Sequence, residues 1–433
     1  MAIAAPNTST TTSASEPTAS YTVPLAVVTT LFFMWGFLTC LNDILVPHLK
    51  PIFDLNYKEI MLIQFAFFGA YFLFSIPSAK VIDWIGYQRS MVVGLLTMGV
   101  GAFLFVPAAS VPSYPLFLMA LIVLAAGITC LQVAANPYVT VLGKPQTASS
   151  RLNLTQAFNS LGTFLAPFFG GLLILTAAPL TITEIRALAP DALQSYRLHE
   201  AATVKLPYIG LGIALVLLAV AIGSFKLPKI PHAQHQIGEK VSDSIWKHPN
   251  LIFGALAIFV YVGAEVSIGS FLVNYFSQPD IGGLTEKAAA SFVAFYWGGA
   301  MVGRFIGSGL LQKMKTGHLL GICAVCAAAL VGISMMSTGH FAMWSIILVG
   351  FFNSIMFPSI FTLGVAELGP LTGDGSGVMI MAIVGGAVIP LAQGAVADRI
   401  GIHHAFFLPV ICYLYILFFA LSGSKPNSER ARA

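Results

Sequence analysis

Two carboxylic acids of this chain lie inside long apolar runs. Asp43 falls within LFFMWGFLTCLNDILVPHLK, residues 31–50, and Glu265 falls within YVGAEVSIGS, residues 261–270. A charged side chain at the centre of a membrane helix costs about 2.5–3.5 kcal/mol on insertion scales, so such an acid usually faces a bundle interior or a water-filled path. A carboxyl group held away from water can take up and release a proton. We therefore expect Asp43 and Glu265 to be proton-coupling acids that take up a proton from one side and release it on the other; a structural hydrogen bond is the alternative for each.

Amide side chains form a second set of polar groups inside apolar runs. Gln132 and Asn136 are four residues apart, and Gln156 and Asn159 are three apart, so each pair shares one face of its helix. Amides both donate and accept hydrogen bonds, which suits a neutral ligand with several hydroxyl groups. Flat aromatic and further amide side chains complete the predicted substrate site: Trp35, Asn42, Tyr296, Trp297 and Asn353. The alternative is that amides tie helices together, at about 0.6 kcal/mol each.

Three charged residues are candidates for gating. Asp83 and Arg89 lie in AKVIDWIGYQR, residues 79–89, which joins two apolar runs, and Arg304 lies in GRFIGSG at the end of a later run. Such charges could pin helix ends and open or close one side of a bundle. They could equally be simple topology signals.

Metal and redox chemistry are not indicated. The nine histidines avoid the centres of the apolar runs, and Cys323 and Cys326 form a CxxC within Ala, Val and Leu, where packing is the favoured interpretation. We expect no metal site and no bound cofactor; a proton is the expected co-transported ion, with sodium as an alternative.

The elements that must position these residues are membrane helices. Of 433 residues, 57% are hydrophobic and only 9% are charged, which excludes a soluble multidomain protein. About 20 apolar residues cross a bilayer, and twelve such runs are present. The predicted spans are 22–48, 59–84, 90–109, 114–142, 151–177, 204–225, 250–277, 287–312, 316–337, 340–364, 375–397 and 403–422.

A polar segment divides these spans six and six. We expect a disordered cytoplasmic tail over 1–20, helix bundles over 21–225 and 250–424, a cytoplasmic linker over 226–249 and a short cytoplasmic tail over 425–433. Most Lys and Arg residues fall on the linker side of the spans, which places both termini in the cytoplasm. The basic residues form no patch, so nucleic acid is not an expected partner. The expected setting is a bacterial inner membrane, with the protein as a monomer.

The two halves repeat each other in sequence. Pro137 and Pro358, 221 positions apart, are each followed five and six residues later by Leu-Gly. The residues Gly162, Pro167 and Gly171 recur 223 positions later as Gly385, Pro390 and Gly394. Two neighbouring spans therefore repeat nearly in register, which predicts two related six-helix halves, the layout of the major facilitator fold.

Four stretches carry a resemblance to a known family. The stretches 32–50, 131–143 (LQVAANPYVTVLG), 151–162 (RLNLTQAFNSLG) and 261–276 (YVGAEVSIGSFLVNYF) together resemble the fucose:proton symporter family of the major facilitator superfamily. That family includes fucose permeases, glucose/galactose transporters and N-acetylglucosamine transporters. The resemblance implies that Asp43 is the coupling acid and that Gln156 and Asn159 contact sugar. Fucose permeases have a glutamate at the position of Gln132, so the glucose/galactose branch is the more similar one.

These observations predict an all-α membrane protein with twelve helices in two six-helix pseudo-repeats. It would carry a monosaccharide of the glucose, galactose, fucose, mannose or N-acetylglucosamine type into the cell with a proton, by alternating access. The alternatives are sodium-coupled sugar symport, export of a drug or metabolite by the same fold, and a polytopic membrane enzyme. A primary pump is disfavoured because the chain has no GxxxxGK[ST] loop.

Overall fold

The computed structural model describes the backbone of residues 21–53, 57–111, 113–173, 187–203, 205–228 and 244–430. Within these ranges, the side chains at 39, 41–53, 57–61, 167–173, 197, 200–203 and 429–430 are not described. The first half of the protein here means the described residues up to 228, and the second half means residues 244–430. The predicted tail over 1–20 and most of the predicted linker lie outside the described residues.

Helices occupy nearly all of the described chain. The first half contains α1 Thr22–Phe53, α2 Tyr57–Ser110, α3 Tyr114–Val141, α4 Ala148–Leu173, α5 Pro190–Thr203 and α6 Lys205–Ser224. The second half contains α7 Pro249–Phe276, α8 Glu286–Leu310, α9 Thr316–Met336, α10 Gly339–Asn353, α11 Met356–Gly364, α12 Thr372–Met381, α13 Gly385–Ile400, α14 Ile402–Ala405, α15 Phe407–Phe418 and α16 Asn427–Arg430. Short 3-10 or π turns join several of them.

Twelve membrane crossings follow from these helices. Nine helical segments within the described ranges are long and apolar enough to span a bilayer. One of them, Leu62–Ser110, has 49 residues. At 1.5 Å per residue it is about twice the length needed to cross a hydrocarbon core of about 30 Å, so it supplies two crossings. The helices α1 and α4 supply the remaining two. The predicted all-α fold with twelve transmembrane helices is confirmed.

The two crossings of α2 meet at Gly86. Its backbone adopts φ 81° and ψ 168°, a conformation that residues with a Cβ rarely adopt. The helix reverses direction there, between the predicted second and third spans. The glycine therefore makes the tight turn that places Asp83 and Arg89 together at one end of the bundle.

One helix was not expected from the sequence. Residues 178–203 lie between the predicted spans 151–177 and 204–225, yet α5 occupies Pro190–Thr203. Proline at the first helical position and Asp191 in the first turn both favour a helix start. Most of the described side chains of α5 are exposed, so this helix lies outside the main bundle.

The internal repeat is visible in the packing. A Cβ at Gly162 in α4 would overlap the carbonyl oxygen of Phe33 in α1. In the second half, a Cβ at Gly385 in α13 would overlap the carbonyl oxygen of Phe259 in α7. The same glycine-to-backbone approach therefore joins the first and fifth crossings and the seventh and eleventh. Such contacts are typical of membrane helices, whose small residues let backbones approach closely.

Candidate functional site

A cavity of about 790 Å³ lies between the two halves. Its walls contain seven of the residues singled out in the sequence: Trp35, Gln132, Gln156, Asn159, Glu265, Trp297 and Arg304. Four of them come from the first half and three from the second. Cavities of several hundred Å³ that combine aromatic walls with a few polar groups are typical small-molecule sites.

Two amides on the first-half wall have side-chain atoms without a partner. The Nε2 of Gln132 donates to the Tyr71 hydroxyl at 2.7 Å, whereas its Oε1 is buried and unpaired among the described residues. The Nε2 of Gln156 is likewise buried and unpaired. Unpaired buried polar atoms are uncommon in proteins, since each costs about 1–3 kcal/mol. Here both lie on side chains that line the cavity, so a bound hydroxyl group could satisfy them.

Asn159 has a structural contact as well as a position on the wall. Its Nδ2 donates to the carbonyl oxygen of Phe32 at 2.9 Å, and Gly36 of α1 packs directly against the Asn159 backbone. The hydroxyl of Thr163 reaches the Gly36 carbonyl at 3.3 Å. Asn159 therefore joins α4 to α1 and also faces the cavity, so the two interpretations of this amide are compatible.

Asn136 lies elsewhere. It is fully buried in α3 and is not among the residues that line the cavity. Both polar atoms of its side chain lack a partner among the described residues. The structure therefore does not bring Asn136 to the cavity together with Gln132, although the two share a helix.

Two tryptophans provide flat surfaces on opposite walls. Trp35 of α1 packs against Phe32, with ring centroids 5.3 Å apart. Trp297 of α8 meets Tyr296 edge to face at 5.1 Å and is 41% exposed. Aromatic faces of this kind suit the apolar faces of a sugar ring.

The acid on the second-half wall is part of a hydrogen-bond network. The Tyr261 hydroxyl lies 2.8 Å from Oε1 of Glu265. Behind this pair, Nδ2 of Asn353 donates to the Tyr296 hydroxyl at 2.9 Å, and the Tyr413 hydroxyl donates to Oδ1 of Asn353 at 2.8 Å. Tyr296 and Asn353 were expected to contact substrate. The structure places both fully buried behind the wall and not among the lining residues.

Asn42 and Asp43, the substrate-binding and coupling residues expected in the first half, belong to helix α1, and their side chains lie outside the described residues. Cys40, one turn earlier in α1, lines the cavity.

Arg304 bridges the two halves at the base of the cavity. Its guanidinium donates through Nη1 to the hydroxyl of Ser160 in α4 and through Nε to the carbonyl oxygen of Ser354 at 3.3 Å. Its own carbonyl accepts from Nδ2 of Asn153 at 2.7 Å. Arg304 was expected to gate one end of the bundle, and it lies where the cavity ends and the halves meet.

The repeated prolines explain two of the contacts between halves. A proline has no N–H, so Pro137 leaves the carbonyl of Val133 without its helical donor, and Pro358 does the same for Ser354. The hydroxyl of Ser376 in the second half donates to Val133 O at 2.8 Å. Arg304, which also contacts the first half, donates to Ser354 O. Each freed carbonyl is thus used where the halves close on one another.

Further contacts close the same end of the bundle, which we call the linker end because residues 228 and 244 lie there. The Nζ of Lys80 is 2.8 Å from the Asp374 carboxylate and 3.5 Å from that of Asp83. Arg89, on the other arm of the α2 turn, is exposed. Asp83 therefore takes part in the closing contacts, whereas Arg89 stands at the surface.

Hydroxyl groups add to this closure. Ser149 and Thr362 share a hydrogen bond of 2.6 Å, and Ser150 and Ser308 each donate to the other's carbonyl, at 2.8 and 3.1 Å. At the opposite end the cavity extends as far as Tyr114, the first residue of α3. The contacts between the halves thus close the linker end, and the cavity extends from there towards the other end.

Comparison with known proteins identifies the family. The family model described as Major Facilitator Superfamily matches residues 26–389. The chain belongs to the Major Facilitator Superfamily. Members of this superfamily are membrane transporters built from two related six-helix halves, so the protein is a transporter and not an enzyme.

Named relatives of this superfamily member cover almost its whole length. It is 53% identical to a glucose/galactose transporter of Brucella abortus over 94% of this chain and 95% of the relative. It is 46% identical to a putative glucose/galactose transporter of Helicobacter pylori, covering 95% and 99% of the two chains. It is 36% identical to the L-fucose-proton symporter of Escherichia coli, covering 94% of each.

A solved structure is also similar. A crystal structure of the E. coli fucose:proton symporter, carrying one substitution, superposes with a TM-score of 0.86 at 33% identity, covering 94% of this chain and all of that one. A second structure, titled as FucP in the outward conformation, gives the same TM-score at 34% identity, over 94% of this chain and 99% of that one. The predicted two-half architecture of this superfamily member is confirmed.

Three functional candidates were missed by sequence reasoning. Tyr71 accepts a hydrogen bond from Gln132, and Tyr261 is hydrogen-bonded to Glu265. Asp374 pairs with Lys80. Tyr261 precedes Glu265 by four residues, a spacing that places both on one helix face and could have revealed the pair. Tyr71 and Asp374 meet partners far away in the sequence, and no local pattern indicates them.

Proposed function

We propose that this protein is a proton-coupled symporter that moves a hexose-type monosaccharide across a bacterial inner membrane by alternating access. The observation that carries the proposal is the composition of the cavity between the halves. It combines two amides with unpaired atoms, two tryptophans and one carboxylic acid. Sugar and proton would therefore meet in the same space, as coupling between them requires.

The amides would form hydrogen bonds with the hydroxyl groups of the sugar. Gln132 presents an unpaired acceptor and Gln156 an unpaired donor, and a hydroxyl group can serve both. The relatives named as glucose/galactose transporters, at 53% and 46% identity, support glucose or galactose ahead of fucose, since the fucose symporter is 36% identical. A fucose-type sugar, mannose and N-acetylglucosamine are the other substrates to compare.

Glu265 and Asp43 would carry the proton. Glu265 lines the cavity and bonds to Tyr261, so its carboxyl group can exchange a proton with the cavity in one conformation. Proton movement down a membrane potential releases about 2.3 kcal/mol per 100 mV, enough for a roughly tenfold or greater accumulation of a neutral sugar. Asp43 in α1 is proposed as the second coupling acid, and its assignment rests on the sequence.

The linker end would face the cytoplasm, with both termini on that side, because Lys and Arg are concentrated there. In that orientation the conformation would be outward-facing, because the contacts of Lys80, Arg304 and the serines would close the cytoplasmic side. Transport would require these contacts to break and the opposite end to close. We propose that the protein does this as a monomer.

A transport assay on purified protein tests the proposal. Proteoliposomes would be given labelled glucose, galactose, fucose, mannose and N-acetylglucosamine, each with an imposed proton gradient, an imposed sodium gradient or neither. We expect accumulation of glucose or galactose only with the proton gradient, and loss of accumulation but retained exchange in Asp43→Asn. Accumulation driven by sodium alone, or by neither ion for any sugar, would contradict the proposal.

A further inference from the structure

The hydroxyl of Tyr261 lies between two acceptors. It is 2.8 Å from Oε1 of Glu265 and 3.1 Å from the backbone carbonyl oxygen of Asn353. Tyr261 is 1% exposed, so water does not provide an alternative partner. A tyrosine hydroxyl carries one hydrogen, and it can donate to only one of these acceptors at a time.

The protonation state of Glu265 decides which acceptor is used. An ionised carboxylate only accepts hydrogen bonds, so it takes the hydrogen of Tyr261 and leaves the Asn353 carbonyl without that donor. A protonated carboxyl group can donate its own hydrogen to the Tyr261 oxygen. Tyr261 is then free to donate to Asn353 O. One proton added to Glu265 thus reverses the Tyr261–Glu265 hydrogen bond and allows Tyr261 to donate to Asn353 O, as the Tyr261 hydrogen turns from one acceptor to the other.

The carbonyl of Asn353 stands at an interruption of the tenth crossing. Helix α10 ends at Asn353 and α11 begins at Met356. The next carbonyl, that of Ser354, lacks its helical donor because of Pro358 and accepts from Arg304. Two successive carbonyls at this break are therefore held by side chains, one by Tyr261 and one by Arg304.

We propose that Tyr261 is a positioning residue that transmits the protonation of Glu265 to the break between α10 and α11. When Glu265 takes up a proton, Tyr261 of α7 donates to the Asn353 carbonyl, and when Glu265 releases the proton this hydrogen bond is lost. The geometry of the break in the tenth crossing therefore depends on the protonation of Glu265. Arg304 ties the same break to Ser160 in the first half. The inference rests on the proposed proton coupling and adds the route by which the proton acts on the helices.

Other titratable groups surround this pair. Arg304 and Tyr296 approach from α8, with the Tyr296 hydroxyl 3.5 Å from the backbone carbonyl of Glu265. Tyr413 approaches from α15 through Asn353. Tyr413 is fully buried in the same network but bonds to the side chain of Asn353, so its removal tests the network without touching the Glu265 hydrogen bond.

The test compares Tyr261→Phe with Tyr413→Phe in proteoliposomes. Each variant removes one buried hydroxyl from the same network. We expect Tyr261→Phe to lower proton-driven sugar accumulation at least fivefold and to shift the pH dependence of uptake, while sugar exchange without a gradient stays within twofold of wild type. Tyr413→Phe should keep the wild-type accumulation ratio and pH profile. Equal behaviour of the two variants would overturn the inference.

A second pair of variants keeps the test decisive if Tyr261→Phe does not fold. Glu265→Asp retains the acid but withdraws it from Tyr261 by one methylene, so it should lower accumulation to the same extent. Glu265→Gln removes the titrating group next to Tyr261, so exchange should become independent of pH. Adding Tyr261→Phe to Glu265→Gln should then leave the pH profile unchanged, because both residues belong to the same series of hydrogen bonds.

The outcomes separate the inference from the proposed function. If wild-type protein accumulates no sugar under a proton gradient, the proposed function fails, and the inference that rests on it fails as well. If wild-type protein accumulates sugar and Glu265→Asp does so equally well, the function stands and the role of Tyr261 is contradicted. Thermal unfolding of each purified variant controls for loss of folded protein.

Discussion

The two halves of the molecule share a backbone plan but differ in how the polar side chains at the cavity are satisfied. On the first-half wall, Gln132 and Gln156 have buried side-chain atoms with no partner among the described residues. In the second half, Glu265 and Asn353 belong to a network that pairs both side chains with tyrosines. Unpaired groups are available to a ligand, whereas the groups of a paired network already have partners and exchange them only together.

This difference indicates a division of roles. The first-half wall would bind the sugar with its unpaired amides, and the second-half wall would bind a proton at Glu265, with Asp43 of the first half as the second coupling acid. The shared proline positions, Pro137 and Pro358, place a freed carbonyl at the meeting point of the halves in each case. The internal repeat thus gives both halves the same backbone contacts, and their polar side chains account for the difference between them.

The largest effect, on the free energy of unfolding, is expected at the close glycine contacts that both halves share. Gly162→Ala and Gly385→Ala should each lower the free energy of unfolding by about 1–3 kcal/mol, because the added Cβ overlaps a backbone carbonyl in both halves. Thermal denaturation in detergent would measure this. Gly210→Ala, a helical glycine with nothing near its Cβ position, is the control and should be neutral or slightly stabilising. If one of the pair tolerates alanine as well as Gly210 does, the halves are not packed alike.

The next largest effect, on sugar binding, is expected at Gln132 and Gln156 of the first-half wall. Gln132→Ala and Gln156→Ala should each weaken sugar binding by about 1–1.5 kcal/mol, a roughly five- to tenfold rise in KM, since each removes one hydrogen bond to the sugar. Sugar-dependent thermal stabilisation and uptake kinetics would measure it. Gln393→Ala removes a fully buried, unpaired amide of the second half that does not line the cavity, and KM should stay unchanged. A KM that is insensitive to Gln156→Ala would contradict the assignment of the sugar to the first half.

The smallest effect is expected at the exposed ion pair between the halves. Lys80→Ala and Asp374→Ala should each shift the balance between the two conformations by about 0.2–1 kcal/mol, because the Lys80 side chain is 52% exposed. Distances between spin labels at the exposed residues Gln146 and Lys313 would report the shift. Lys144→Ala, another exposed lysine of the first half, is the control. A shift of more than tenfold in the populations would mean that this ion pair, and not the buried contacts, keeps the linker end closed.

The sequence was sufficient for the architecture. Apolar runs of about 20 residues locate the crossings because the bilayer imposes their length, and the positions of Pro137, Pro358, Gly162 and Gly385 reveal the repeat. Helix α5 was missed because its composition is polar, and apolar length was the only signal used for crossings. The helix Pro190–Thr203 is instead indicated by local features, its proline and acid at the start.

Side-chain direction within the crossings was harder to predict. Tyr296 and Trp297 are neighbours in α8 and were both expected on the cavity wall, but successive helical residues point about 100° apart. Trp297 lines the cavity, and Tyr296 is buried against Asn353. In a membrane the lipid-facing and bundle-facing sides of a helix are both apolar, so hydrophobic periodicity does not settle which face is inward.

Proton movement caused by sugar is the most direct measurement of the proposed coupling. Wild-type proteoliposomes in weakly buffered medium would receive a pulse of glucose or galactose while the external pH is recorded. We predict a rise in external pH with wild-type protein, no rise with Glu265→Gln, and a rise with Gln156→Ala only at higher sugar concentration. An undiminished rise with Glu265→Gln would contradict the claim that Glu265 carries the proton while the amides of the first-half wall hold the sugar.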